Sequence, residues 1–291
     1  MVESRNYNVA GFGFSIDGES DVLALLTNYE PFRVEQPIDP MLFRLVLGEV
    51  KPEPTMEHVF TDTSDDDMPR IEVYHVGRDW QIQLAMYKTS PICAIMRVSE
   101  DFSLVRLQAD PAVIKFAIDN AAMLIYAFST ADKGVLEMHA SVTVKDGKGF
   151  LFLGKSGTGK STHSRLWLET FPEAWLLNDD NPVLRLLPNN EVHVYGSPWS
   201  GKTPCYINRE VPVGGIVKLT QAPANAIHTL SLPEAYAYML ASSSGLKIVP
   251  AMMDALYNTI ASVIQIIPVQ GLECLPDTDA AKLCESTINT K

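Results

Sequence analysis

A glycine-rich segment gives the clearest chemical signal in the chain. Residues 154–161 read GKSGTGKS and match the pattern G-x-x-x-x-G-K-[ST] of a phosphate-binding loop, the Walker A motif. The apolar stretch GFLFL precedes the loop, and KSTHSRLWLETF follows it with the spacing of an amphipathic helix. In such a strand–loop–helix arrangement, backbone N–H groups and the positive end of the helix dipole bind phosphate. The sequence therefore predicts a site for a nucleoside triphosphate.

Two side chains in this segment have specific expected roles. Lys160 is expected to contact the β- and γ-phosphates, and the Ser161 hydroxyl is expected to bind Mg²⁺. The alternative, a glycine-rich turn without a ligand, is disfavoured by the flanking strand and helix. The residues predicted to contact the nucleotide are Gly154, Lys155, Ser156, Gly157, Thr158, Gly159, Lys160, Ser161 and Thr162.

Two adjacent acids, Asp179 and Asp180, follow the short apolar stretch AWLLN. The carboxyl ends of strands open the ligand crevice of a parallel sheet, and neighbouring residues on an extended chain point to opposite sides. One carboxylate could therefore face a metal ion while the other takes the proton of an acceptor. Asp-Asp-Asn-Pro is equally typical of a turn, and spacing alone leaves both interpretations open. His139 and His163 are each more typical of structural residues than of catalysts.

Composition limits the classes of function. The 291 residues suffice for one large domain or two moderate ones, and the 46% hydrophobic content is that of a globular protein. The net charge of -12 counts against a nucleic-acid partner. The N-terminus lacks the order of a secretion signal, and no uninterrupted apolar run approaches the roughly 20 residues of a membrane span. We therefore expect a cytoplasmic protein with no membrane partner. Four scattered cysteines predict free thiols.

The pattern of apolar residues divides the chain into two regions. The segments RIEVYHVG, WQIQLAMY, ICAIMRVS and FSLVRLQA predict strands in the first hundred residues. Residues 110–132 predict a buried helix with Asp110 as its N-cap and Pro111 in its first turn. We expect a strand-rich N-terminal domain at 1–108 and an α/β nucleotide-binding domain at 109–291. In the second domain a hairpin turn is expected at Asp146–Gly147, and helices are expected over 160–171, 232–244, 250–265 and 278–289.

Three segments taken together resemble a known family. They are MHASVTVKDGKGFLFLGKSGTGKSTHSRLW, LLNDD and INREVPVGGIVKL. They resemble the catalytic domain of HPr kinase/phosphorylase and, more closely, the HPr-kinase-like serine kinases, which are relatives of phosphoenolpyruvate carboxykinase. The resemblance covers roughly residues 135–220. It implies an α/β (α+β) fold in which a P-loop catalytic domain with a mixed sheet follows a smaller strand-rich domain.

The resemblance also implies an activity, cofactors and residue roles. The activity is transfer of the γ-phosphate of ATP, with Mg²⁺, to a serine-type hydroxyl on a protein, peptide or small molecule. Asp180 would be the base or acid near the acceptor, Asp179 would position Mg²⁺, and His139 would lie near the transferring phosphate. The opposite assignment of the two aspartates stays open.

Two further questions stay open in the sequence. Lys202 and Arg209 are candidates for an anion contact, and Trp199 is a candidate for a lid or a wall of the acceptor site, although a plain surface loop fits as well. The alternative function is an ATP-binding sensor or scaffold without phosphotransfer. The N-terminal domain is expected to recognise the acceptor or to contact another copy in a homo-oligomer.

Overall fold

The chain is a mixed α/β protein with two large mixed sheets. The computed structural model describes residues 1–62, 69–201, 203–245 and 249–288, apart from the side chain of Ala251. One compact unit holds Met1–Thr130, and the other holds Ala131–Gly245 and Ala251–Lys291. The long helix after residue 110, which we expected to begin the second domain, belongs to the first unit.

A nine-stranded mixed sheet forms most of the first unit. The strands are β1 (Val2–Val9), β2 (Phe12–Glu19), β3 (Arg33–Val34), β4 (Met41–Leu47), β5 (Glu57–Asp62), β6 (Arg70–Val76), β7 (Asp79–Ala85), β8 (Ile92–Val98) and β9 (Leu104–Ala109). Their order in the sheet is β3-β1-β2-β4-β9-β8-β7-β6-β5. Strand β4 is parallel to β2 and β9, and the other neighbours are antiparallel. A short helix, α1 (Ser20–Leu23), and a 3₁₀ turn, Thr27–Phe32, connect β2 to β3.

The helix α2 (Ile114–Thr130) lies against this sheet and supplies much of its core. It is preceded by a 3₁₀ turn, Pro111–Val113, whose Ala112 N–H donates to the Asp110 carboxylate over 2.9 Å, as the predicted N-cap requires. Tyr126 donates to the Val9 carbonyl over 3.0 Å. Pro111–Thr130 is long and apolar enough to cross a membrane by length and composition. Half of this segment is buried within the protein, and a core helix has the same composition.

A second mixed sheet organises the other unit. Its strands are β10 (Val135–Glu137), β11 (Ala140–Lys145), β12 (Lys148–Leu153), β13 (Trp175–Asn178), β14 (Val183–Leu186), β15 (Val192–Tyr195), β16 (Glu210–Gln221), β17 (Ala226–Thr229) and β18 (Val269–Cys274). The main order is β10-β14-β15-β16-β12-β11-β13, and β18 pairs with both β16 and β17. Strand β16 is parallel to β12 and to β18, whereas β11 is antiparallel to β12.

Helices cover both faces of the second sheet, so its central strands are buried on both sides. Leu151 and Leu153 of β12 belong to one core, together with residues of the helices α4 (Leu232–Ala241) and α5 (Pro250–Ile266). Phe150 and Phe152 point the other way and pack with Trp167 in a second core. This explains why β12 reads as an uninterrupted apolar run. The helices are α3 (Lys160–Thr170), α4 (Leu232–Ala241), α5 (Pro250–Ile266) and α6 (Thr278–Ile288).

Two local expectations from the sequence are confirmed. Asp146 and Gly147 adopt φ angles of 50° and 75° between β11 and β12, as a two-residue hairpin turn requires. All four cysteines are free thiols and none is fully exposed; they are Cys93, Cys205, Cys274 and Cys284.

Candidate functional site

Several chain segments meet at one edge of the second sheet. Strand β12 ends there and continues into the glycine-rich loop, and the first residue of β11 pairs with Leu153, which places His139 beside the loop. Strand β13 is antiparallel to β11 and therefore runs in the direction of β12, so that Asp179 and Asp180 follow it at the same edge. Strand β16 is parallel to β12 and ends there at Gln221. Three carboxyl ends of strands thus lie at one edge of the sheet, the place where such sheets bind ligands.

The glycine-rich loop has a backbone that other residues adopt only with strain. Gly157 and Gly159 have φ angles of 77° and 106°, in the left-handed region that favours glycine. Gly159 is the N-cap of α3, and the His163 N–H donates to its carbonyl over 2.8 Å to begin the helix. The loop therefore delivers the chain directly into a helix N-terminus, the end of a helix that attracts anions.

Lys160 lies at the centre of a chain of polar contacts. Its side chain is buried, and its Nζ donates to the Gly154 carbonyl over 2.9 Å and contacts His139 Nε2 at 2.7 Å. Because an ammonium group only donates, we assign Nε2 as the acceptor and place the imidazole hydrogen on Nδ1. That Nδ1 lies 3.4 Å from an oxygen of Asp180. The structure thus brings together three residues that are far apart in the sequence.

The Asp179 carboxylate is bonded on one side only. Its exposed fraction is 5%, and Oδ1 accepts a hydrogen bond from Ser141 over 2.8 Å. Oδ2 is buried and has no hydrogen-bond partner among the residues that the structure describes. Since a buried carboxylate oxygen without a partner is costly, this atom is suited to a cation.

Asp179 and the exposed hydroxyl-bearing residue Ser161, in the first turn of α3, fit a Mg²⁺ ion. Mg²⁺ prefers oxygen ligands and usually needs only one or two protein ligands, because water and substrate phosphates complete its shell. Across residues 1–62, 69–201, 203–245 and 249–288, no group of three or more His, Cys, Asp or Glu side chains could hold a metal. Asp179 and Ser161 would leave most of the coordination shell of such an ion to water and to oxygens of a ligand.

Asp180 has the environment of a proton acceptor. Burial raises the pKa of its carboxyl, and the neighbouring Asp179 charge raises this pKa further, while His139 and Lys160 oppose the change. A carboxylate with a raised pKa takes a proton more readily at neutral pH. The carboxylate remains half-buried rather than sealed from solvent.

Asn178, which was not singled out in the sequence, shapes the turn that presents these acids. Its Oδ1 accepts from the N–H groups of Asp180 and Asn181, each over 2.9 Å, and its Nδ2 donates to the Trp199 carbonyl over 3.1 Å. Asn-Asp-Asp-Asn is thus both a turn and part of the site. The preference of asparagine for such side-chain turns was the available signal.

Gln221 is a second residue that the sequence did not indicate. Its Nε2 donates to the carbonyls of Gly157 and Thr158 over 3.2 and 3.3 Å, so the end of β16 supports the glycine-rich loop. This contact depends on the register between β12 and β16, for which the sequence holds no local signal.

The segment between β15 and β16 contains the residues that were candidates for a lid or an anion contact. Trp199 is buried, with an exposed fraction of 4%, so it is not an exposed wall for an acceptor. The Arg209 guanidinium lies over the Trp175 ring, 5.8 Å from its centre, and the Arg209 carbonyl accepts from the Gly196 N–H over 3.0 Å. Lys202 lies outside the described residues.

His163 has a structural role in α3. It accepts a hydrogen bond from Trp167 Nε1 over 3.1 Å and packs edge-on against the Phe152 ring, with the ring centres 4.7 Å apart. Burial lowers the pKa of this imidazole to about 4, which keeps it neutral at physiological pH.

A buried carboxyl group, Glu137, lies at the end of β10. Its exposed fraction is 1%, and neither carboxylate oxygen is hydrogen-bonded within normal distance to any residue described in the structure. Burial raises the pKa of Glu137 to about 8; the nearby Ser244 opposes this rise, and the Asp180 charge adds to it. Glu137 is therefore a neutral acid at pH 7.

Comparison with known proteins corrects the family assignment made from the sequence. A family model described as "SynChlorMet cassette protein ScmC" matches residues 104–266, more than half of the chain, and this range contains every residue of the site. The assignment to the HPr-kinase-like serine kinases is wrong, because the matching model is not of an HPr kinase or P-loop kinase family. The resemblance rested on the phosphate loop, one histidine and two aspartates, residues that unrelated phosphate sites also use. No curated protein matches the chain significantly.

Proposed function

We propose that this chain, which belongs to the ScmC family of SynChlorMet cassette proteins, is an ATP-dependent phosphotransferase that acts on a hydroxyl acceptor. One observation supports this most strongly. The contacts from Lys160 to His139 and from His139 to Asp180 lie at the glycine-rich loop. Next to them is the Asp179 carboxylate, of which only Oδ1 accepts a hydrogen bond from a described residue. A loop that only holds nucleotide needs the lysine but has no need of an adjacent carboxylate with a raised pKa.

The second unit would act as a P-loop nucleotide-binding domain. Residues 154–162 would surround the phosphates of ATP, and Lys160 would exchange its contact with the Gly154 carbonyl for one with the β- and γ-phosphates. Ser161 and Asp179 would hold Mg²⁺. The ion, when bound, neutralises the charge of the phosphate oxygens.

The transfer step then has a defined proton balance. The acceptor oxygen forms a bond to the γ-phosphorus while the bond between that phosphorus and the β,γ-bridging oxygen breaks, which releases ADP. The acceptor proton passes to Asp180, whose raised pKa favours this. His139 donates through Nδ1 towards Asp180 and so orients it.

The acceptor would be a hydroxyl group on a protein, a peptide or a small molecule. The first unit would recognise this acceptor or contact another copy of the chain, since neither the glycine-rich loop nor the two aspartates lie in it. We further propose that the protein acts in the cytoplasm without a nucleic-acid or membrane partner.

A label-transfer experiment tests the proposal. The protein is incubated with [γ-³²P]ATP and Mg²⁺ in a dialysed extract of the source cells, and labelled products are separated. We expect an acceptor band that the D180N variant abolishes while it still binds ATP. The matched control is Asp146→Asn, an exposed aspartate in the β11–β12 turn, which should transfer normally.

Two results would contradict the proposal in different ways. ATP binding without any transferred label would favour the alternative, a nucleotide sensor or scaffold. Label transfer by D180N at the wild-type rate would show that Asp180 is not the base.

A further inference from the structure

We infer that Ser141 and Ser164 are positioning residues. They orient the Asp179 carboxylate so that its Oδ2 faces the metal ion. The inference rests on the proposed function, because it concerns the Mg²⁺ ion that would accompany ATP. It also resolves which of the two adjacent aspartates serves the metal and which the acceptor.

The hydrogen bonds of this cluster have only one consistent direction. Ser141 Oγ lies 2.8 Å from Asp179 Oδ1 and 2.6 Å from Ser164 Oγ. An ionised carboxylate only accepts, so the single hydroxyl hydrogen of Ser141 goes to Asp179. Ser164 must then donate to Ser141. The result is a chain of two hydroxyl groups that ends on one carboxylate oxygen.

Burial makes this chain a fixed arrangement. Ser141 and Ser164 have exposed fractions of 0% and 1%, and Asp179 is almost as deeply buried. Hydrogen bonds to a charged group in such surroundings are short and strong, and neighbouring bonds reinforce one another. With Oδ1 held in this way, Oδ2 is the carboxylate oxygen that accepts no hydrogen bond from the described part of the chain.

The chain also connects the aspartate to the helix that follows the glycine-rich loop. Ser164 lies on α3, three residues after Ser161, on the same side of the helix. Ser141 lies on β11, between α3 and the end of β13. The Ser161 hydroxyl and Asp179 Oδ2, the two oxygens proposed to bind Mg²⁺, are therefore both connected to α3. In metal sites, hydrogen-bonded residues around the ligands hold them in position in the same way.

The Asp180 carboxylate has different hydrogen-bonding neighbours from Asp179. Among the residues that the structure describes, its carboxylate contacts His139 and Asn181 and neither serine. The two adjacent acids are thus positioned by different groups. Asp179 is held by the hydroxyl groups of Ser141 and Ser164, and Asp180 lies beside the imidazole of His139. This difference assigns the metal to Asp179 and the acceptor proton to Asp180.

The test measures the Mg²⁺ dependence of ATP binding by the full chain. Fluorescence of a mant-ATP probe is titrated with Mg²⁺ for the wild type, S141A and S164A. Loss of a hydrogen-bonded outer partner typically weakens metal affinity by about 10- to 100-fold. We expect a shift of that size for S141A and a smaller shift for S164A, which acts through Ser141. Binding of ATP without Mg²⁺ should change little.

A matched control separates positioning from general damage to the core. Thr143 lies two residues after Ser141 on the same face of β11 and is equally buried, and its hydroxyl has no hydrogen-bond partner in the described parts of the chain. T143A removes a buried hydroxyl from the same strand and should leave the Mg²⁺ dependence unchanged. In a D179N background, S141A should have no further effect on Mg²⁺, because its target is already altered.

The outcomes distinguish this inference from the proposed function. Mg²⁺-dependent ATP binding that is equal in the wild type and in a folded S141A variant would overturn the positioning role alone. An equal loss in T143A, or a full S141A effect in the D179N background, would show a structural effect and would also overturn it. A wild-type protein that binds no ATP would contradict the proposed function and, with it, this inference.

Discussion

Replacement of Glu137 by glutamine should stabilise the second unit in a pH-dependent way. The folded state raises the pKa of this carboxyl from 4.5 to about 8 because it is buried. Between these two values the folded protein holds a proton that the unfolded chain has released. Folding stability therefore falls as the pH rises through this interval.

The magnitude follows from the two pKa values. One pKa unit corresponds to about 1.4 kcal/mol, so the Glu137 contribution should decrease by roughly 3 to 4 kcal/mol between pH 5 and pH 8. A glutamine side chain has nearly the same volume and cannot ionise. The E137Q variant should thus gain on the order of 3 kcal/mol over the wild type at pH 8 and much less at pH 5.

Urea unfolding at several pH values, followed by tryptophan fluorescence, measures this difference. Trp167, Trp175 and Trp199 all lie in the second unit and report on it. E273Q, which alters an exposed glutamate of β18, is the control and should follow the wild type at every pH. Parallel curves for E137Q and the wild type from pH 5 to pH 8 would refute a buried neutral Glu137.

Two further predictions concern the glycine-rich loop and its helix. Removal of the Gln221 amide in Q221A should weaken ATP binding by roughly 3- to 10-fold, since two hydrogen bonds to loop carbonyls are lost. Calorimetric titration with ATP measures this change, and Q270A of β18 is the control. Equal ATP affinities of Q221A and the wild type would contradict the prediction. The pKa of His163 is lowered from 6.5 to about 4, so its contribution to stability is complete above pH 6.5 and is lost, by about 3 kcal/mol, as the pH falls towards 4. The H163Q variant keeps a hydrogen-bond acceptor for Trp167 but cannot be protonated in this pH range. In urea unfolding it should therefore lack the wild-type loss of stability between pH 6.5 and pH 4. The same loss in H163Q and the wild type would show that His163 is not the buried neutral group.

Much of the secondary structure could be predicted because its signals are local. Asp110 and Pro111 mark the start of the long helix, Asp146–Gly147 marks the hairpin, and alternating apolar residues mark β6 to β9. The position of α2 in the first unit had no such signal, since an apolar helix can pack against either neighbouring region. The order of strands in the two sheets depends on contacts between distant segments and was likewise not accessible.

The candidate site shows the same division between local and distant information. The glycine-rich loop is one continuous motif, and the sequence placed it between a strand and a helix. The contact of Lys160 with His139 and the support of the loop by Gln221 require strands to meet in register, so they appear only in the folded chain. Asp179 and Asp180 were visible as a pair, but their separate partners were not. The burial of Trp199 had no local signal either, because aromatic residues in glycine-rich segments can lie inside as readily as outside.

The central claim is that the loop holds a triphosphate with a metal ion between Ser161 and Asp179. A crystal structure with a non-hydrolysable ATP analogue and Mg²⁺ tests it most directly. We predict that the phosphates lie against the backbone of residues 154–162, with Lys160 turned from the Gly154 carbonyl to the β- and γ-phosphates and Asp179 Oδ2 facing the ion. A nucleotide bound elsewhere, or a loop that keeps Lys160 on Gly154 and His139 while the nucleotide is bound, would contradict the account.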